Sequence, residues 1–215
     1  MMAGKQTPVR KRKQGQIVII SSPSGGGKTS ICNAVMTPER RKQGWRFSIS
    51  YTTRQKRPGE QNGREYHFVE DRTFMSLRRR GEFAEDCRVH LYRYATPRAP
   101  LEKVITNGGV MLLDVDVQGA EKLRRRYKEA ITIFILPPSL IELRKRLTKR
   151  GTESREQKRV RFENARKEMK LYNKFDYVVI NDHLETAVGD VLSIIQAHPC
   201  RTQFVRKSAI RQIVG

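Results

Sequence analysis

The sequence predicts an α/β protein in which a parallel sheet is flanked by helices, with a mixed α+β segment inserted into it. Three observations carry that expectation. Four short apolar runs, "QIVII" (16–20), "VMLLDVD" (110–116), "AITIFIL" (130–136) and the start of "YVVIND" (177–182), are unbroken by charge until their ends, as strands buried on both faces are. Each lies next to a helical pattern, and alternating β and α places helices over a parallel sheet. Between Trp45 and Pro97 the pattern instead breaks into short alternating stretches with Pro58-Gly59 and Asn62-Gly63 turn signals, as hairpins require.

Taken in order, "MMAGKQTPVRKRKQG" (1–15) lacks periodicity and reads as a disordered basic arm. The strand at 16–20 feeds a glycine-rich stretch, after which "TSICNAVM" starts a helix. Residues 16–44 and 98–198 form the core of one domain, and 45–97 the insertion. Within it, Asp71 is expected to cap a helix "RTFMSLRRR" closed by Gly81. The core resumes with a helix near 98–107, halted by Gly108-Gly109, and another from about Gln118. "PPSLIELRKRLTKRG" gives a Ser139 cap and an amphipathic helix ending at Gly151, and "LETAVGDVLSIIQAH" is the last core helix. Residues 199–215 read as a basic tail.

With 215 residues, 37% hydrophobic and 31% charged, the chain is expected to be a soluble protein with one packed core. No apolar run reaches the roughly 18 residues of a membrane span, and no secretory h-region opens the sequence; a cytoplasmic address without a membrane partner is therefore expected. Cys32, Cys87 and Cys200 are odd in number and widely spaced, which argues against a disulfide framework or a zinc site. His67, His90, His183 and His198 have no spacing that suggests catalysis. The net charge of +22 calls for anionic partners. No nucleic-acid-binding motif accompanies it, so no specific nucleic-acid partner is expected, while the oligomeric state is left open.

The glycine stretch supplies the chemistry. In "SPSGGGKT" (22–29) Ser22 stands where the phosphate-loop pattern has its first glycine, but the rest of the pattern is intact. Backbone N–H groups of Ser22, Pro23's successor Ser24, Gly25, Gly26 and Gly27 are expected to surround phosphate oxygens at the positive end of the next helix. Lys28 would reach the β- and γ-phosphates, and the Thr29 hydroxyl would hold Mg²⁺. Asp114 and Asp116, two residues apart at a strand end, are the carboxylates available to that metal, directly or through water.

The loop, with "FSISYTTRQKRPGEQNGREYHFV", "LLDVDVQG", "RLTKRGTE" and "VVIND" in that order, resembles the guanylate kinase family from about Gly15 to His198. The resemblance implies a phosphate-loop kinase core that transfers the γ-phosphoryl of ATP to GMP and dGMP, with Mg²⁺, in purine nucleotide metabolism. It implies an ATP site of residues 22–29, Pro23 included, with Asn181 near the adenine. It places Arg54, Arg57, Tyr66 and Tyr94 on the GMP phosphate, Glu85 on the guanine edge with Ser50 and Thr96 assisting, and Asp116 on the GMP side. A lid over about 150–170 would bring Arg150 and Arg161 to the ATP phosphates, joining Lys28 and Arg54 as the catalytic charges. Ala95 and Tyr51 depart from the family's usual Gly and Ser. Two other readings of the same pattern are a phosphopeptide-binding module that has lost catalysis and a kinase for another phosphorylated small molecule. Scaffold modules of this type usually lack the glycine loop and lid arginines present here.

Overall fold

The computed structural model describes residues 15–89, 91–148, 155–205 and 207–214. In chain order, β1 (Gln16–Ser21), α1 (Lys28–Val35), α2 (Pro38–Lys42) and β2 (Trp45–Phe47) come first. They are followed by β3 (Tyr51–Thr52), β4 (His67–Phe68), α3 (Asp71–Arg79), β5 (Phe83–Val89) and β6 (Tyr92–Pro97). Next come α4 (Arg98–Asn107), β7 (Val110–Asp114), α5 (Val117–Arg126), β8 (Ile131–Leu136) and α6 (Leu140–Thr148). The described chain closes with α7 (Arg155–Met169), β9 (Tyr177–Ile180), α8 (Leu184–Ala197) and α9 (Lys207–Val214).

Five strands form a sheet of order β2-β7-β1-β8-β9, and every neighbouring pair in it is parallel. Side chains alternate between its faces. Val18, Ile20, Leu112 and Ile133 pack with Ile31 and Val35 of α1 and Val191 and Ile195 of α8. Ile17, Ile19, Met111 and Leu113 pack on the other face with Leu101 of α4 and Leu123 of α5. Burial on both faces is why these strands read as continuous apolar runs.

The insertion is a mixed sheet of order β4-β3-β6-β5, backed by α3, whose fully buried Phe74 stacks 4.9 Å from Phe83. Tyr51 joins this small core, with its ring 5.4 Å from Phe83 and 4.6 Å from His67. That accounts for an aromatic side chain at a position where the resemblance has a serine.

The structure revises four sequence expectations. Trp45–Phe47 pairs in parallel with Val110–Leu112, so β2 extends the core sheet and the insertion begins after it. Asp71 is the first helical residue of α3, with Glu70 at the cap and no side-chain cap bond; its carboxylate takes Arg93 at 2.7 Å. The short α2, capped by Thr37 and opened by Pro38, went unread. The tail contains α9. The Ser139 cap holds, its hydroxyl accepting from Glu142 N at 3.1 Å. Most of the basic arm, Arg150 and His90 lie outside the described residues.

Candidate active site

β1 and β7 are adjacent and parallel, with Ile20 beside Asp114. The loops leaving their carboxyl ends therefore open into one crevice, where ligands of open α/β sheets bind. A cleft of about 340 Å³ lies there. One wall is the glycine loop from Ser22 to Thr29, and the other comes from the insertion: Ser50, Tyr66, Glu85, Cys87 and Tyr94. Asp114, Val115, Asp116 and Glu168 complete it.

Gly25 and Gly27 take φ of +86° and +93°, a region that costs an L residue roughly 1–2 kcal/mol. These conformations turn the loop around the start of α1. Gly26 is packed tightly as well, since a Cβ there would meet Ser22 Cβ at 2.9 Å and the Ile135 carbonyl at 3.2 Å. Ser22 itself turns its hydroxyl onto the Pro23 carbonyl at 3.0 Å. Lys28 donates to the Val115 carbonyl at 2.7 Å and pairs with Asp114 at 2.5 Å. Burial pulls its ammonium pKa down, but the charge and hydrogen bond of Asp114 outweigh that, so the net displacement is upward.

Asn181 is buried behind the loop. Its amide donates to the Gly26 carbonyl at 2.9 Å, its backbone N–H to Leu136 O at 2.8 Å, and its carbonyl accepts from Arg146 at 3.0 Å. It braces the loop from outside the cleft lining, where the sequence reading had it beside a base.

Across the cleft, Glu85 and Thr96 stand opposite each other on β5 and β6. The Thr96 hydroxyl donates to Glu85 Oε1 at 2.8 Å, while Oε2 is buried without a hydrogen-bond partner. Burial, tempered by Thr96 and reinforced by Asp116, pushes the Glu85 carboxyl up to about 7. An orphaned oxygen in a polar cleft is a binding feature, because leaving it unpaired costs roughly 1–3 kcal/mol.

Arg54 is buried between the rings of Tyr66 and Phe68, each 5.5 Å from its guanidinium. Glu60 grips it with two bonds of 3.0 and 2.8 Å and also accepts from Arg57 N at 2.8 Å. The Arg57 side chain, which the resemblance places with Arg54 on the GMP phosphate, is exposed, and neither arginine lines the cleft itself. Asp116 caps α5, accepting from Gly119 N at 2.8 Å and from the Cys87 thiol at 3.6 Å. Asp114 and Asp116 thus do different work, one holding Lys28 and the other a helix end.

The guanylate kinase family model matches residues 14–198. The chain belongs to the guanylate kinase family. It is 45% identical over 187 residues to the guanylate kinase of Aromatoleum aromaticum, covering 87% of this chain and 90% of that one. With the guanylate kinase of Thermotoga maritima it shares 43% over 184 residues, covering 86% and 87%. The crystal structure of guanylate kinase from Anaplasma phagocytophilum superimposes with a TM-score of 0.77 at 30% identity, over 96% of each chain.

Two residues of this guanylate kinase fold escaped sequence reasoning. Glu60 sits in the turn "RPGE", where an acid beside three cations was a detectable signal. Glu168 lies in a helix full of charges and had none. The described helix α7, within the stretch expected to form a lid, meets the loop at Ser24: Arg161 donates to its hydroxyl at 3.0 Å, and Ser24 N donates to Glu168 at 3.2 Å. Among the described residues no cluster of three or more His, Cys, Asp or Glu could hold a metal. The exposed Thr29 hydroxyl and the Asp114 carboxylate share the cleft. One hydroxyl and one carboxylate suit a Mg²⁺ that arrives with nucleotide phosphates and keeps several waters.

Proposed function

We propose that this chain transfers the γ-phosphoryl group of ATP to GMP, and to dGMP, yielding ADP and the nucleoside diphosphate. The observation that carries the reading is the pairing, across one cleft, of an intact phosphate loop with a buried carboxylate whose Oε2 has no partner. Guanine offers N1–H and N2–H₂ as adjacent donors, and ionised Glu85 can accept both; adenine would present a mismatch. Ser50 and Thr96 supply hydroxyls beside it.

The ATP phosphates would lie against the backbone of residues 22–29, with Lys28 exchanging Asp114 for phosphate oxygens. Thr29, with Asp114 or Asp116 through water, would hold Mg²⁺, which neutralises charge on the phosphates. Arg54, held ready by Glu60, with Tyr66 and Tyr94 would orient the GMP phosphate, and Arg57 would swing in when that dianion arrives. The acceptor phosphate is already an anionic nucleophile, so in-line alignment and charge compensation suffice and no general base is needed. Arg161 would move from Ser24 to the transferring group as the lid closes, and Arg150 would join it there. Closure excludes water and protects the phosphoryl group from hydrolysis.

A coupled ADP-release assay with GMP, dGMP, AMP and sugar phosphates tests the reading. Turnover is expected with the two guanine nucleotides, and absence of GMP-dependent ADP release would overturn it. Lys28→Ala should lower kcat by about 10³-fold or more, as loss of a cation on the transferring phosphoryl group does, while the circular dichroism spectrum is kept.

A further inference from the structure

The helix α9 lies beyond the family-matched residues 14–198, and none of its residues lines the cleft described above. At about 100° per residue, Ile210, Ile213 and Val214 fall within an arc of about 100°, with Lys207 and Arg211 along one flank of that arc and Ser208 on the far side. The apolar side is bare: Ile210 is 42% exposed, Ile213 67% and Val214 75%. An isolated eight-residue helix is marginal in water, and one that presents all three of its branched aliphatics to solvent gains nothing from them there. The segment is also fastened at its base, since Phe204 stacks 5.0 Å from the buried His198 at the end of α8.

We propose that α9 docks this protein on anionic phospholipid bilayers, lying in the plane of the interface with its aliphatic side among the acyl chains. Charge selects this occupant. Residues 201–215 hold four bases and no acid, on a chain of net charge +22. A second copy placed face to face would bring base against base. A nucleic acid would satisfy Lys207 and Arg211 but offers the aliphatic stripe nothing. A bilayer of acidic lipid takes both sides of the helix, with basic side chains at the headgroups and branched aliphatics below. The expectation of no membrane partner rested on the lack of a span of roughly 18 apolar residues; an eight-residue helix lying in the interface needs no such length. Docking would hold the kinase at the membrane surface.

The test is flotation of the full chain with vesicles at about 0.15 M salt. The protein is expected to float with equimolar phosphatidylglycerol and phosphatidylcholine, and not with phosphatidylcholine alone. Ile210→Gln/Ile213→Gln should weaken binding to the acidic vesicles at least about tenfold, given what burial of an isoleucine contributes. Lys207→Gln/Arg211→Gln should weaken it as well, and both variants should turn over ATP and GMP at the unaltered rate. Three results would each overturn the proposal: no flotation of the unaltered chain, flotation unchanged by the isoleucine substitutions (bulk charge alone), or a concentration-dependent dimer that those substitutions dissolve while vesicle binding is absent.

Discussion

At the scale of single residues, Glu85 concentrates the chemistry of the site and also its cost. Nothing local distinguishes it, since any of the acids in "EFAEDCRV" looks like a surface acid; only the family pattern singles it out. What makes it special is its position on β5 opposite Thr96, which buries it and leaves Oε2 unpaired. Because burial first, and Asp116 after it, hold the carboxyl at about 7, only part of the free enzyme is ionised at neutral pH. In the proposed reaction guanine pairs with the ionised form, and on that reading kcat/KM for GMP should fall about tenfold per pH unit below 7. The second ionisation of a phosphate monoester lies near 6, and Glu85→Gln should leave only that later limb. Stability moves the opposite way. A carboxyl raised in the folded state binds its proton more tightly there, so folding loses stability as pH climbs from 4.5 to about 7. At about 1.4 kcal/mol per pH unit this is about 3 kcal/mol. Glu85→Gln should therefore stabilise the protein at pH 8 and not at pH 4, which urea titration at both values would measure; equal stabilisation at both would refute the assignment.

At the scale of elements, the four long apolar strands and the glycine loop were legible because each follows from local pattern alone. The strand β2 was not: three residues, "WRF", carry no period, and they become a strand only because Val110–Leu112 offers an open edge. The Asp71 cap failed for a similar reason, since Arg93 on β6 captures the carboxylate that would otherwise fold back on the helix. The brace behind the phosphate loop was equally invisible. A Cβ on Gly27 would collide with the Asn181 amide nitrogen, at a φ of +93°. Gly27→Ala should accordingly raise KM for ATP at least about tenfold, from strain of roughly 1–2 kcal/mol added to a displaced Asn181. The double variant with Asn181→Ala should cost less than the sum of the two singles, and strict additivity would deny the brace. The lid offers a complementary test. Glu168 accepts the Ser24 N–H, an amide that a phosphate oxygen would take, so its charge competes with ATP at the loop. Glu168→Gln should lower KM for ATP by about threefold, in line with exchanging a charge-assisted for a neutral hydrogen bond, and leave KM for GMP alone. An increased KM for ATP would instead mean that Glu168 supports the closed lid.

At the scale of the whole molecule, a charge of +22 acts on two highly anionic substrates before either touches a side chain. The cleft gathers the loop's N–H groups and Lys28 on one wall and has Arg54 stacked behind Tyr66 on the other. Further cations are spread along the chain, among them Arg159 and Arg166 on α7 and Lys170 just after it. Such a field raises the encounter rate of anions by up to a few orders of magnitude, and salt screens it over a Debye length of about 10 Å at 0.1 M. Once ATP and GMP are seated, their contacts are short and partly buried, so screening reaches them far less. The two stages therefore separate under salt. Between about 0.02 and 0.5 M potassium chloride, kcat/KM for each nucleotide should fall about tenfold or more while kcat changes less than about twofold. Because ATP carries more charge than GMP, its kcat/KM should fall more steeply at constant free Mg²⁺. Equal slopes for the two substrates would place the effect on the protein's conformation, and a flat response would show that the surplus positive charge serves partners other than the nucleotides.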